Sequence, residues 1–322
     1  MLKLDLPTDD VKREYKNKFL PGLVSRVQNG CGKVKLCDKI KAILLPEWNT
    51  DTPDTQILED LLLLEPEALK NLSDDLWPKI RKASRFKTEK RLKKQLNVIF
   101  DYKGQIDGSK NKSYWLAAAV GRNTCAYCNR TYTLTVVKGE GKNDDSRIAR
   151  PTFDHWYAHA EYPLMSISLH NLIPSCSICN SSAKGSTPFD KETHTHPYIH
   201  EEGHPDITFV AGLTDDEPAK WTVKIKTPPE SKERRTIEDL HLDDIYAYHG
   251  ELEVKDLMEF KSKYTADYLK NLLEKVLQDS KGKLTLGDVY RMLFGTEIKE
   301  ENFLDRPLSK MKHDLLKEMG VI

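Results

Sequence analysis

Two C-x2-C pairs, Cys125–Cys128 and Cys176–Cys179, stand 47 residues apart in a chain of 322. Thiolates two residues apart can grip one metal ion from a tight turn, and two such pairs complete a closed tetrahedral zinc site. Both pairs can serve one ion only if the 47 residues between them leave and return to the same place. That closure constrains the fold more than any other feature of the chain. A four-thiolate site leaves no position open for substrate, so any chemistry belongs to the residues that the clip frames.

Those residues include an Asp154-His155 step and Asn171, and Asn180 directly follows the last cysteine. Asp is a hard oxygen ligand suited to Mg2+ or Mn2+, and the amide of Asn180 can supply a second oxygen. On an extended segment Asp154 and His155 point to opposite faces, so one can hold an ion while the other reaches towards a water. Asn171 can accept the N–H of His155 or fix its backbone; either sets the tautomer that a general base needs. Taken singly, each is an ordinary polar loop residue. Taken in this order, CAYC at 125–128, DH at 154–155, N at 171 and CNSSAK at 179–184, they form a pattern.

The pattern resembles the HNH (ββα-metal) endonucleases of the four-cysteine type, over roughly 120–200. The resemblance implies His155 as general base, Asp154 and Asn180 as ligands of a catalytic divalent ion, and Asn171 as the residue that orients the base. The last position is Asn, an H-N-N variant that favours Mg2+ or Mn2+. Where many relatives carry Pro four residues after the DH step, this chain has His159, a candidate substrate contact. Lys184 lies one helical turn beyond Asn180 and reads either as a contact to the scissile phosphate or as a solvated lysine. The wording NLIPSCSICNSS followed by THTHPYI is also similar to the HNH subunits of Septu-type anti-phage systems and related retron effectors. That resemblance implies a defence effector working with an ABC/SMC-like ATPase.

The implied fold class is α+β, a mainly helical chain around a small zinc-stabilised ββα-metal core. Three regions are expected: a helical part at 1–115, the zinc-framed core at 116–205, and a β-hairpin with a helical tail at 206–322. In the first, Val11, Tyr15, Phe19, Leu20 and Val24 predict a helix over 8–28 interrupted at Pro21-Gly22. Short helices follow over 33–45 and 54–64, Pro66 suits the first turn of the next, and Ser73-Asp74-Asp75 predicts another helix start. In the core, Thr131 to Val137 (TYTLTVV) predicts a strand, Lys138–Ser146 a mobile loop, and 151–153 a second strand delivering Asp154-His155. In the tail, 207–210 and 221–226 predict a hairpin. A long helix with apolar positions 260, 264, 268, 272 and 276 follows, then two shorter ones at 289–294 and 308–319.

Net charge predicts no partner, because fifty basic residues balance fifty acidic ones. The balance hides a local excess: from Lys79 to Lys94 nine basic residues meet one acid, Glu89. Beside a nuclease such a segment neutralises phosphates, which makes Arg81, Arg85, Lys90 and Lys94 candidate nucleic-acid contacts. A solvated helix face or a surface for an acidic protein is the alternative. No run of 18 apolar residues occurs and the first twenty residues lack a secretory core, so a cytoplasmic protein without membrane contact is expected. Cys31 and Cys37, too widely spaced for a knuckle, read as reduced thiols. His194 and His196 form an H-x-H pair that would share a face on a strand and could hold a metal or touch phosphate; His200 and His204 carry less signal.

The leading expectation is therefore a zinc-stabilised, Mg2+- or Mn2+-dependent endonuclease acting on DNA. The motif acts at phosphorus and does not exclude RNA, so an RNase, for instance a tRNA-cleaving one, is a rival. A non-catalytic zinc module that binds nucleic acid or protein is the other.

Overall fold

The computed structural model describes residues 2–139, 146–199, 207–264, 268, 271 and 285–321. The expected helix positions 272 and 276, most of the Lys138–Ser146 loop, and His200 and His204 lie outside the described residues. Helices dominate, and the strands form small antiparallel two-stranded sheets.

The first helix, α1 (Asp9–Asn29), opens where the Thr8 hydroxyl accepts from the Val11 N–H and Asp9 and Asp10 complement the helix dipole. Its buried face is Tyr15, Phe19, Leu20, Leu23 and Val27. The expected break at Pro21-Gly22 does not occur. Pro21 is exposed, and so is Asn17, whose carbonyl loses its helical partner and is left to water. After α2 (Asp38–Leu44) and α3 (Gln56–Leu63), α4 (Pro66–Ala83) also runs unbroken. The expected start at Ser73-Asp74-Asp75 is absent, because Ser73 is buried in the middle of a stripe with Leu69, Leu76 and Ile80. The basic segment is then a corner rather than one helix: α4 ends at Ala83, 84–88 turn, and α5 (Glu89–Phe100) begins. A π-turn at Lys103–Asp107 and α6 (Lys110–Val120) lead into the cysteines.

The predicted strand at 131–137 shortens to β1 (Val136–Val137), paired with β2 (Arg147–Ala149). The reason is upstream: the Cys125 N–H donates to the Thr131 carbonyl and the Thr133 N–H to Asn123, so the knuckle consumes the first half of the segment. Tyr132, Leu134, Val136 and Val137 are left exposed. The hairpin that matters is β3 (Thr152–His155) against β4 (Leu172–Ser175), with Asp154 opposite Ile173 and His155 opposite Leu172. A π-helix (Ile178–Lys184) follows it directly.

Downstream, β5 (Thr208–Leu213) and β6 (Trp221–Lys226) pair as expected. Then come α7 (Lys232–Asp239), α8 (Leu242–Ala247), α9 (Lys255–Lys263), α10 (Leu286–Phe294) and α11 (Ser309–Glu318). One hydrophobic core joins all of these, from Leu4 through the cysteines to Met319. Among the described residues no helix is long and apolar enough to cross a membrane.

Candidate functional site

The four sulfurs of Cys125, Cys128, Cys176 and Cys179 converge within 4.8 Å of one another, all buried. That spacing suits four thiolates around one zinc ion at about 2.3 Å from each sulfur. Burial, then the neighbouring sulfurs, pushes the Cys125 thiol well up. The backbone is shaped for the clip. The Arg130 N–H points at the Cys128 sulfur (3.5 Å) and the Cys179 N–H at the Cys176 sulfur (3.4 Å). Asn129 turns the chain with a left-handed φ of 48°. Its amide then donates to Thr124 Oγ1 and to the Phe303 and Arg306 carbonyls. The four-cysteine group is therefore a buried site fit for structural zinc. Among the described residues no other set of three or more His, Cys, Asp or Glu side chains lies close enough to share an ion.

Tyr127, inside the first C-x2-C, carries the clip to the next layer. Its hydroxyl donates to Asp154 Oδ2 at 2.5 Å. From the opposite side the Lys184 ammonium lies 3.2 Å from Oδ1 and 3.1 Å from Oδ2, and donates to the His155 carbonyl at 2.8 Å. Asp154 and Lys184 are only 4% and 3% exposed, so this ion pair is buried, and the reading of Lys184 as a solvated lysine does not hold. The carboxylate and ammonium each keep hydrogen-bonding partners, the condition under which a buried pair is tolerated.

His155 is turned away from Asp154, as alternation along β3 requires. Its Nε2 lies 2.8 Å from the Ser166 carbonyl, which can only accept, so Nε2 carries the proton and Nδ1 keeps the lone pair. Tyr102 packs its ring edge-on at 4.3 Å and His159, exposed, lies at 4.7 Å. Burial, reinforced by His159 and Lys184, holds the imidazole below its ordinary range, so it is neutral near pH 7.

Asn171 is fully buried and makes no hydrogen bond to the His155 ring. Its Oδ1 accepts from the Tyr157 N–H at 2.7 Å, and its amide donates to the Tyr157 and Met165 carbonyls. With its own carbonyl accepting from the Trp156 N–H, it ties the loop between β3 and β4 to itself. Neither expected contact with His155 is made: Asn171 fixes the backbone of Trp156, Tyr157 and Met165 instead. Asn180, two residues into the π-helix, is half-buried and makes no side-chain hydrogen bond among the described residues. Its amide oxygen is a hard donor, as are the Asp154 carboxylate oxygens, which here carry Lys184 and Tyr127.

The N-terminal helices cup this loop. The Tyr15 hydroxyl donates to the Ile167 carbonyl at 2.7 Å, Ser168 Oγ to Leu61, and His170 Nδ1 to Leu64 at 2.9 Å. On α5, Asn97 Oδ1 accepts from Ser166 Oγ at 3.0 Å, and Lys93 pairs with Glu161. The basic helix therefore packs on the loop whose carbonyl fixes the His155 tautomer. Arg81 is folded back onto the Phe86 and Lys87 carbonyls, whereas Arg85, Lys90 and Lys94 are exposed and form no ion pair among the described residues.

The H-x-H pair is split. It lies in a turn, where His194 bonds Asp239 at 2.9 Å and His196 packs on Trp156 at 4.4 Å. Tyr127, Tyr102, Ser166 and Asn97 were not legible as site residues. Only Tyr127 carried a signal, its place between two ligands. Comparison with known families, curated proteins and solved structures finds no match to this chain.

Proposed function

We propose that this chain is a zinc-supported endonuclease that hydrolyses phosphodiester bonds of DNA with the help of a divalent ion. The carrying observation is the Asp154-His155 step: a buried carboxylate on one face of β3, and on the other a neutral imidazole whose Nε2 is pinned to a carbonyl. His155 Nδ1 would take the proton of the attacking water. Asp154 and Asn180 would hold the Mg2+ or Mn2+ ion, which supplies charge stabilisation at the scissile phosphate. Asn171 and Ser166 hold the base in place without meeting substrate. Arg85, Lys90 and Lys94, on the corner and helix that pack against the base's loop, would carry the flanking phosphates.

The test is cleavage by zinc-loaded protein, wild type and His155→Ala, against plasmid DNA, single-stranded DNA and total tRNA with and without Mg2+ or Mn2+. Metal-dependent cutting of DNA by wild type, lost by a factor of about 10^2 or more in the variant, is expected. Cutting confined to tRNA would reassign the substrate to RNA. Equal cutting by wild type and His155→Ala would remove the general base.

A further inference from the structure

The Asp154 carboxylate already has a cation. Lys184 Nζ lies within 3.2 Å of both carboxylate oxygens, and its third contact is the His155 carbonyl at 2.8 Å. Tyr127 donates to Oδ2 from the remaining side. Asp154 therefore sits between a phenol and an ammonium, in a pocket almost closed to water. An Mg2+ or Mn2+ ion bonded to either oxygen at about 2.1 Å would lie at most about 5 Å from Nζ, where like charges repel strongly in a buried setting.

Resting on the nuclease reading, we infer that Lys184 is a built-in counter-ion that competes with the divalent ion for Asp154, so that loading the metal expels the ammonium from the carboxylate. The local fold supports an exchange of this kind. Lys184 is the last residue of the π-helix, and Gly185 leaves it at a positive φ of 51°. A π-helix adds a residue per turn relative to an α-helix, and such segments are concentrated at functional sites. The ammonium also rests 5.0 Å over the Phe189 ring, a cation–π contact independent of the carboxylate. Exposed His159 is near enough to feel its charge, and the inferred exchange would carry Nζ towards that surface. In the metal-free protein Lys184 neutralises a carboxylate that would otherwise be buried and unpaired.

The experiment is a calorimetric Mn2+ titration of the zinc-loaded full chain, comparing wild type, Lys184→Met, Lys184→Gln and Asp154→Asn. Zinc content and thermal melting serve as folding controls. Both Lys184 variants should bind Mn2+ at least about tenfold more tightly than wild type, and Asp154→Asn should lose the site. A second measurement uses wild type alone: acetylation of Lys184 by acetic anhydride, read by mass spectrometry, should rise severalfold when Mn2+ is added. Unchanged or weaker Mn2+ binding in both Lys184 variants, with binding still lost in Asp154→Asn, would overturn the competition while leaving the metal site intact. Unchanged labelling of wild type on Mn2+ binding would overturn it as well. If Asp154→Asn binds as wild type does, or if neither wild type nor Lys184→Met binds Mn2+, the metal assignment beneath it fails too.

Discussion

At the scale of single residues, the site is held by side chains that do no chemistry. Asn171 satisfies three buried backbone groups of the loop between β3 and β4. Asn171→Ala orphans all three, and at about 1–3 kcal/mol for each unsatisfied group the fold should lose roughly 3 kcal/mol or more, measurable by urea denaturation. His170 gives a pH test. Burial holds its imidazole down at about 4, below the roughly 6.5 of a free imidazole. Between those values the unfolded chain takes up a proton that the folded chain refuses. Stability therefore falls as pH drops from about 6.5 towards 4, by about 1.4 kcal/mol per pH unit for this one group. Urea midpoints at pH 7 and pH 5 should show the loss, and His170→Gln should flatten the slope by one proton's worth.

At the scale of elements, the telling feature is that a basic helix and the loop between β3 and β4 share an interface. Helix α5 meets the loop through Asn97–Ser166 and Lys93–Glu161, while Lys90 and Lys94 on the same helix are exposed. Replacing Arg85, Lys90 and Lys94 with Ala should weaken duplex binding in all sequences alike. The slope of log affinity against log salt should shrink by up to about 0.9 per contact. Fluorescence anisotropy across a salt series checks this, with zinc content unchanged. Equal slopes in wild type and triple variant would return the segment to a plain solvated face.

At the scale of the molecule, the knuckle is bonded to both ends of the chain. The Leu2 N–H donates to the Ala126 carbonyl, the Leu308 N–H to Asn129, and the Tyr246 hydroxyl to the Cys128 carbonyl. Zinc loss should therefore loosen far more than the loop it closes. Chelation, or Cys176→Ser, should cost on the order of 5 kcal/mol or more and convert cooperative melting into a broad transition. Limited proteolysis should then cut near both termini as well as within 129–175.

The sequence by itself determined the clip, the order of Asp154, His155, Asn171 and Asn180 around it, and the strand that delivers the DH step, because ligand spacing and strand alternation are local rules. It misread the chain at Ser73-Asp74-Asp75, at Pro21 and at 131–137, where burial of a stripe, solvent around an orphan carbonyl and hydrogen bonds to the knuckle overrode local preference. Only the tertiary structure decided what each polar group faces. Tyr127 and Lys184 meet on one carboxylate from positions 57 residues apart, and Ser166 turns its carbonyl to His155 while Asn97 holds its hydroxyl. Such partnerships depend on where distant segments pack, and no periodicity within a segment encodes them.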